Sequence, residues 1–345
     1  MSIFRQWLAA SLCILATAAT SGALLTPPEH RRGPDQTFLT FPEWYLVHSP
    51  AEYAAYLRDA AHPSQFPLFA HIAQFWQGYG AVAHEIRRYP FNGGYHLMVV
   101  VIGTSTTVEY ALKGIYEHTI GRLAEATRTG DAPVPEEVFA ARFAQAYVDF
   151  IRVEPWYLFD FWSQFKALWS DVPASGPNLM RRWERRFLLS TELLVKEGYA
   201  HIIKWGTQSI YDAPKPVTAV VLSRSPDLDA RYPDFLVLKS YPDGTVLATI
   251  PRYEDFTRYS EWLAEQGIGF REIAGNSDEV VVSVWVPDHW TIAASGVRLL
   301  FTQPIVTHPG TQRAVLAIPV ASLAEELRRS AADPRRIGVE HVYDF

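Results

Sequence analysis

Hydrophobic and polar positions follow three different regimes along this chain of 345 residues. From Trp7 to Leu25 there is no period, only apolar and small residues without a charge, preceded by Arg5. The run is long enough for one membrane span of about 20 residues. Ala16-Thr17-Ala18 also offers the small-x-small pattern of a signal cleavage site. Residues 1–26 therefore read as a signal anchor or a signal peptide, and either exports the chain. Residues 27–36 are a polar, proline-containing linker.

From 37 to 211 the apolar positions recur at helical spacing. Thr40-Phe41-Pro42-Glu43 and Ser49-Pro50-Ala51-Glu52 both fit the capping-box pattern, which predicts two short helix starts in series. Glu43 then folds back on its own helix, unless its neighbours Phe41, Trp44 and Tyr45 desolvate it and make it an active carboxylate. Helical patterns follow over 67–91, 95–123 and, after Pro135, 134–169, with a break expected at Pro155. Leu97 to Val108 is uncharged but too short to span; it reads as a buried core segment or, extended to 93–111, as a marginal membrane segment. Glu109, Lys113 and Glu117 then form an i, i+4 ladder. The helix over 177–209 is amphipathic, with Leu179, Trp183, Phe187, Leu194, Gly198, Ile202 and Trp205 on one face. Its first turns carry Arg181, Arg182, Arg185 and Arg186 at the end where the helix dipole is already positive. Compensation must come from acids such as Asp149, Glu154 or Asp160, or from lipid phosphate or a partner.

Residues 212–216, Asp-Ala-Pro-Lys-Pro, mark a boundary. From 217 to 345 strands alternate with two short helices. Ile250-Pro251 matches Ile318-Pro319, and Ile268-Gly269 matches Ile337-Gly338, each pair flanking a helix. This is a repeat of two βαβ units, expected in one pseudo-symmetric sheet. The fold class that follows is α+β: an N-terminal apolar helix, a mostly helical aromatic-rich domain, and a C-terminal ferredoxin-like α+β sandwich. Glu340, His341 and Asp344 on the terminal strand read as surface residues.

Composition narrows the function. The net charge of −6 argues against a general nucleic-acid binder. Cys13 is the only cysteine, so no disulfide framework, cysteine-ligated metal or cysteine nucleophile exists beyond the apolar run. Eight of the eleven tryptophans precede residue 210, which favours an interface with membrane or with a stacking ligand. No glycine-rich phosphate loop follows a strand. His84-Glu85 opens like a zinc-protease motif, but Arg88 stands where the second histidine belongs.

The expectation is a membrane-associated, bacterial-type envelope protein on the exported, periplasmic side of the cell membrane. It is non-catalytic, an accessory or interaction protein, with membrane lipid and an envelope protein as partners, no nucleic acid and no cofactor. Arg181, Arg182, Arg185 and Arg186 are its lipid or partner contacts. The alternative is an envelope enzyme or metal-binding protein with its site in the helical domain: His84, Glu85 and Glu109 for catalysis, and His84, His96, Glu109 and His118 for metal. A third class, a carbohydrate binder, would use exposed tryptophans.

Overall fold

The structure, a computed structural model, describes residues 24–59, 62–207, 217–292, 296–332 and 338–345. The apolar run read as anchor or signal lies almost wholly outside these residues. The chain is α+β, with helices first and two four-stranded antiparallel sheets after them among the described residues.

The helical part comprises α1 (Gln36–Arg58), α2 (Leu68–Glu85), α3 (Gly93–Tyr116), α4 (Arg122–Ala126), α5 (Pro135–Ile151), α6 (Phe161–Ser170) and α7 (Leu179–Thr207). A π-turn over Glu117–Gly121 joins α3 to α4. The two expected helix starts near residues 40 and 49 are instead one helix, α1, with Pro42 and Pro50 inside it. Each proline removes a helical hydrogen bond. Burial on nearly every side holds α1 together regardless: Phe38, Leu39, Phe41, Trp44 and Tyr45 are all in the core. Tertiary packing overrides the local capping signal there. The break at Pro155 is present, with α5 ending at Ile151 and α6 starting at Phe161. Glycine lets α2 and α3 close on each other: a Cβ at Gly103 would collide with the Phe75 ring.

The second part contains β1 (Val217–Leu222), β2 (Leu236–Ser240), β3 (Val246–Pro251), α8 (Glu254–Glu265) and β4 (Phe270–Ile273), then β5 (Glu279–Pro287), β6 (Arg298–Pro304), β7 (Thr311–Pro319), α9 (Leu323–Ala332) and β8 (Gly338–Val342). The strand orders β2-β3-β1-β4 and β6-β7-β5-β8 repeat one another. So do the bulges, between Val221 and Leu222 in the first unit and between Ser283 and Val284 in the second. Pro251 and Pro319 end the equivalent strands, as the sequence repeat predicts. The single ferredoxin-like sheet does not form. Each unit runs β-β-β-α-β and closes its own sheet, because β1 and β5 insert between the strands that flank each helix.

One face of each sheet, with α8 and α9, forms a shared core that includes Val220, Ile250, Phe256, Val282, Leu316 and Leu327. The other face of the second sheet, Val281, Val315 and Tyr343, packs on Phe38, Phe41 and Trp44 of α1. Strand β5 is therefore buried on both sides, which explains its valine-rich sequence, Val280, Val281, Val282, Val284 and Val286. The residues just ahead of the linker are strapped to the first sheet, with the amides of Leu25 and Thr26 donating to the Glu272 carboxylate at 2.7 and 2.9 Å.

Candidate functional site

A cleft of about 740 Å³ opens between α3 and α7, over a floor formed by α1 and α5. The volume lies within the range of small-molecule sites, about 300–1,000 Å³. The two helices run antiparallel and are joined by charged rungs. Arg185 Nη1 lies 2.7 Å from Glu117 Oε1, Lys113 Nζ 3.1 Å from Glu192 Oε2, and Lys196 Nζ 3.1 Å from Glu109 Oε1. Lys196 also reaches Glu192 at 3.0 Å. Lys113 lies over the Tyr53 ring and Lys196 over that of Tyr147. Burial opposes the charge on Glu192, but Lys113 and Lys196 outweigh it and hold the carboxyl well below its usual range. The expected Glu109–Lys113–Glu117 ladder is therefore replaced by pairs across the gap, where the partners are less solvated than along one helix.

At the far end of the cleft stand Glu43, Tyr95, Arg252 and Phe345. Tyr95 donates to Glu43 Oε2 at 2.7 Å. Burial pushes the Glu43 carboxyl up, against the lowering pull of the Tyr95 hydroxyl and of Arg252. Arg252 is itself held by Asp344 at 2.7 Å. Glu43 is thus a wall of the cleft and not a helix cap.

Behind the α1 floor, a second polar network joins the helices to the second sheet. Arg313, fully buried, donates to Glu340 at 2.6 and 2.8 Å and to Glu52 at 3.0 Å. His48 Nδ1 lies 3.4 Å from Glu340. Arg313 keeps Glu340 low, at about 2, despite burial, whereas burial prevails at Glu52 and raises it. Ser49 Oγ is 2.8 Å from both His71 Nδ1 and Tyr110 Oη, and His71 Nε2 is 3.7 Å from Glu52 Oε2. Serine, histidine and carboxylate here follow the order of an acyl-transfer triad. The setting does not suit that chemistry. Ser49 is buried inside α1, Tyr110 occupies its open side, and Pro50 supplies no amide for an oxyanion. The set is an internal hydrogen-bond network. The terminal strand expected at the surface is buried in it: His341 packs against Trp44 with centroids 3.6 Å apart and the rings tilted, and Asp344 is enclosed.

Burial holds His48 and His71 neutral, each lowered to about 3. A histidine lowered on folding stabilises the native state above its unfolded value of about 6.5 and loses that contribution as pH falls towards about 3. Stability should therefore drop by roughly 1.4 kcal/mol per pH unit for each of the two between about pH 6 and 4. Urea midpoints across that range check this, and His71→Gln should flatten the slope. An unchanged slope would show that His71 does not titrate with unfolding.

The residues proposed from sequence do not converge. His84 is exposed, and Glu85 pairs with Arg298 at 3.0 Å. His96 stacks on Phe91 and bonds Tyr79 Oη at 2.8 Å. His118 is exposed, with Nδ1 2.8 Å from the Gly114 carbonyl. Only Glu109 lines the cleft. No group of three or more His, Cys, Asp or Glu able to hold a metal ion occurs among the described residues.

Arg181, Arg182, Arg185 and Arg186 are turned inward, not towards lipid or a partner. Arg181 pairs with Glu125, Glu137 and Glu184, Arg182 and Arg186 with Glu136, and Arg185 with Glu117 and Glu184. Asp149, Glu154 and Asp160 are not the compensating acids. With its arginines inside, α7 presents its apolar face outward: Phe187 is 63%, Ile202 65% and Trp205 81% exposed. On α3, Leu97, Val101, Val108 and Leu112 are also exposed while Val99 and Gly103 are buried, so the segment Leu97 to Val108 enters the core on one face only. No helix among the described residues is long and apolar enough to cross a membrane.

Sequence reasoning missed Glu192 and Lys196 on α7, Arg252 after β3 and Arg313 on β7, three places far apart in the chain with no shared motif. Comparison of the chain with protein-family models, with curated proteins and with solved structures gives no match.

Proposed function

We propose that the protein is a non-catalytic, membrane-associated envelope protein whose helices lie against the bilayer through the outer faces of α3 and α7. The observation that carries this reading is the orientation of α7: four arginines are buried in carboxylate pairs while Trp183, Phe187, Ile202 and Trp205 face out. Large apolar side chains exposed together on the outer faces of two long helices mark a membrane or protein interface. Tryptophan and tyrosine along such a stripe suit the headgroup level of a bilayer. The attachment is interfacial, with the apolar face entering the boundary between headgroups and chains. The uncharged segment 7–25 supports export and a second point of attachment, which favours the periplasmic side of the membrane for the bulk of the chain. A ligand enters the cleft between the same two helices, whose rim includes Met98, Val101 and Tyr199.

Flotation with phosphatidylcholine vesicles tests the reading on a form lacking residues 1–23. The truncated chain should float with the vesicles and resist an alkaline wash. A chain that stays in the soluble fraction would assign the whole attachment to residues 7–25, and a stable dimer in solution would assign the apolar faces to a partner.

A further inference from the structure

The cleft ends on a carboxylate that makes no ion pair with a cation among the described residues. Glu43 is half-buried, and its one hydrogen bond comes from Tyr95. Arg252, the cation in the cleft wall whose charge acts on it, is already paired with Asp344 and stacked on Phe345 at 4.1 Å. From Tyr95 to Glu109 the α3 wall runs for about 21 Å at 1.5 Å per residue, and Met98, Val101 and Ile102 line it. Leu188, Leu189 and Ile203 line the α7 side. The lysines at the opposite end are neutralised by Glu192 and Glu109. The space is a long, largely apolar slot with Glu43, unpaired by any cation among the described residues, at its end; Arg32 and Glu154, both solvent-exposed, also line it.

We propose that this cleft binds a long-chain amphiphile with a primary ammonium head, the ammonium on Glu43 and the chain along α3 and α7. An ammonium brings three donors and a positive charge, and the Glu43 carboxylate retains acceptor positions beyond the Tyr95 bond. A carboxylate head is repelled there, and a quaternary ammonium lacks the N–H groups. The proposal rests on the membrane reading only for the route of entry, since the rim residues Met98 and Val101 belong to the exposed stripe.

Trp44 and Trp156 line the cleft, so tryptophan fluorescence of the full chain reports occupancy. Dodecylamine should bind about tenfold more tightly than dodecanol, and dodecanoate more weakly than either. Glu43→Gln, which keeps an acceptor for Tyr95, should abolish the preference for amine over alcohol and leave dodecanol binding unchanged. Equal affinities for amine and alcohol in the wild type, or an unaltered preference in Glu43→Gln, would overturn the proposal. In nanodiscs of mixed phosphatidylethanolamine and phosphatidylcholine, enrichment of the aminolipid by wild type but not by Glu43→Gln identifies the bilayer as source. Dodecylamine binding without enrichment identifies a free long-chain amine. A chain that floats with vesicles yet shows no amine preference loses this proposal alone; one that prefers the amine but does not float loses the membrane reading alone.

Discussion

Arg313→Ala is expected to destabilise the protein by about 3–5 kcal/mol, a large part of the roughly 5–15 kcal/mol that holds a typical domain folded. Arg313 is the only cation bonded to Glu340 and Glu52 among the described residues, and both carboxylates lie between α1 and the second sheet. Without it two carboxylates remain in a desolvated setting beside neutral groups, the Trp285 indole, which donates to Glu340 at 2.6 Å, and His48 and His71. Both histidines are held neutral there. The loss should appear as an earlier urea midpoint, with tryptophan fluorescence and far-ultraviolet dichroism separating if the helices and sheets come apart first. The triple variant Arg313→Met, Glu52→Gln and Glu340→Gln removes all three charges and should recover most of the loss, because the penalty belongs to unpaired charge. A change below about 1 kcal/mol for Arg313→Ala would show that the network is open to water.

The second large effect concerns the outer face of α7. Phe187→Ser, Ile202→Ser and Trp205→Ser together should weaken vesicle binding by at least about a hundredfold, since each side chain contributes about 1.5–3 kcal/mol when it leaves water. Folding stability should change little, because none of the three is in the core. The contrast with the opposite face is the informative part. Glu136→Ala leaves Arg182 and Arg186 without their carboxylate; it should destabilise the fold and leave vesicle affinity per folded molecule intact. Equal vesicle binding by wild type and the serine variant would remove α7 from the attachment.

The two faces of α7 also show how far the sequence was legible. Its period was plain, and the apolar face named from it is the face observed. The sequence does not say which face turns inward. An apolar face is normally the buried one. Here the acids that compensate the arginines come from α5, the π-turn and α4, distant in sequence, so the inversion follows only from tertiary pairing. The repeat around Pro251 and Pro319 was legible because each unit folds locally. Its division into two sheets was not, since strand pairing across β1 and β5 leaves no local mark. At Glu43 the capping pattern was present, but packing on every side of α1 cancelled it. Glu340 and His341 looked like surface residues because the α1 helix that covers them lies nearly three hundred residues earlier.

Membrane attachment of the protein requires the outer face of α7 to reside in the bilayer interface. A nitroxide on Ile202→Cys, in a chain carrying Cys13→Ser, reports its depth through the relative access of oxygen and of a water-soluble nickel chelate. With vesicles present, the label at 202 should gain oxygen access and lose nickel access, while a label on Asp227→Cys in the second part, exposed in the structure, stays aqueous. A label at 202 that remains open to the nickel reagent in the presence of vesicles would contradict attachment through this helix.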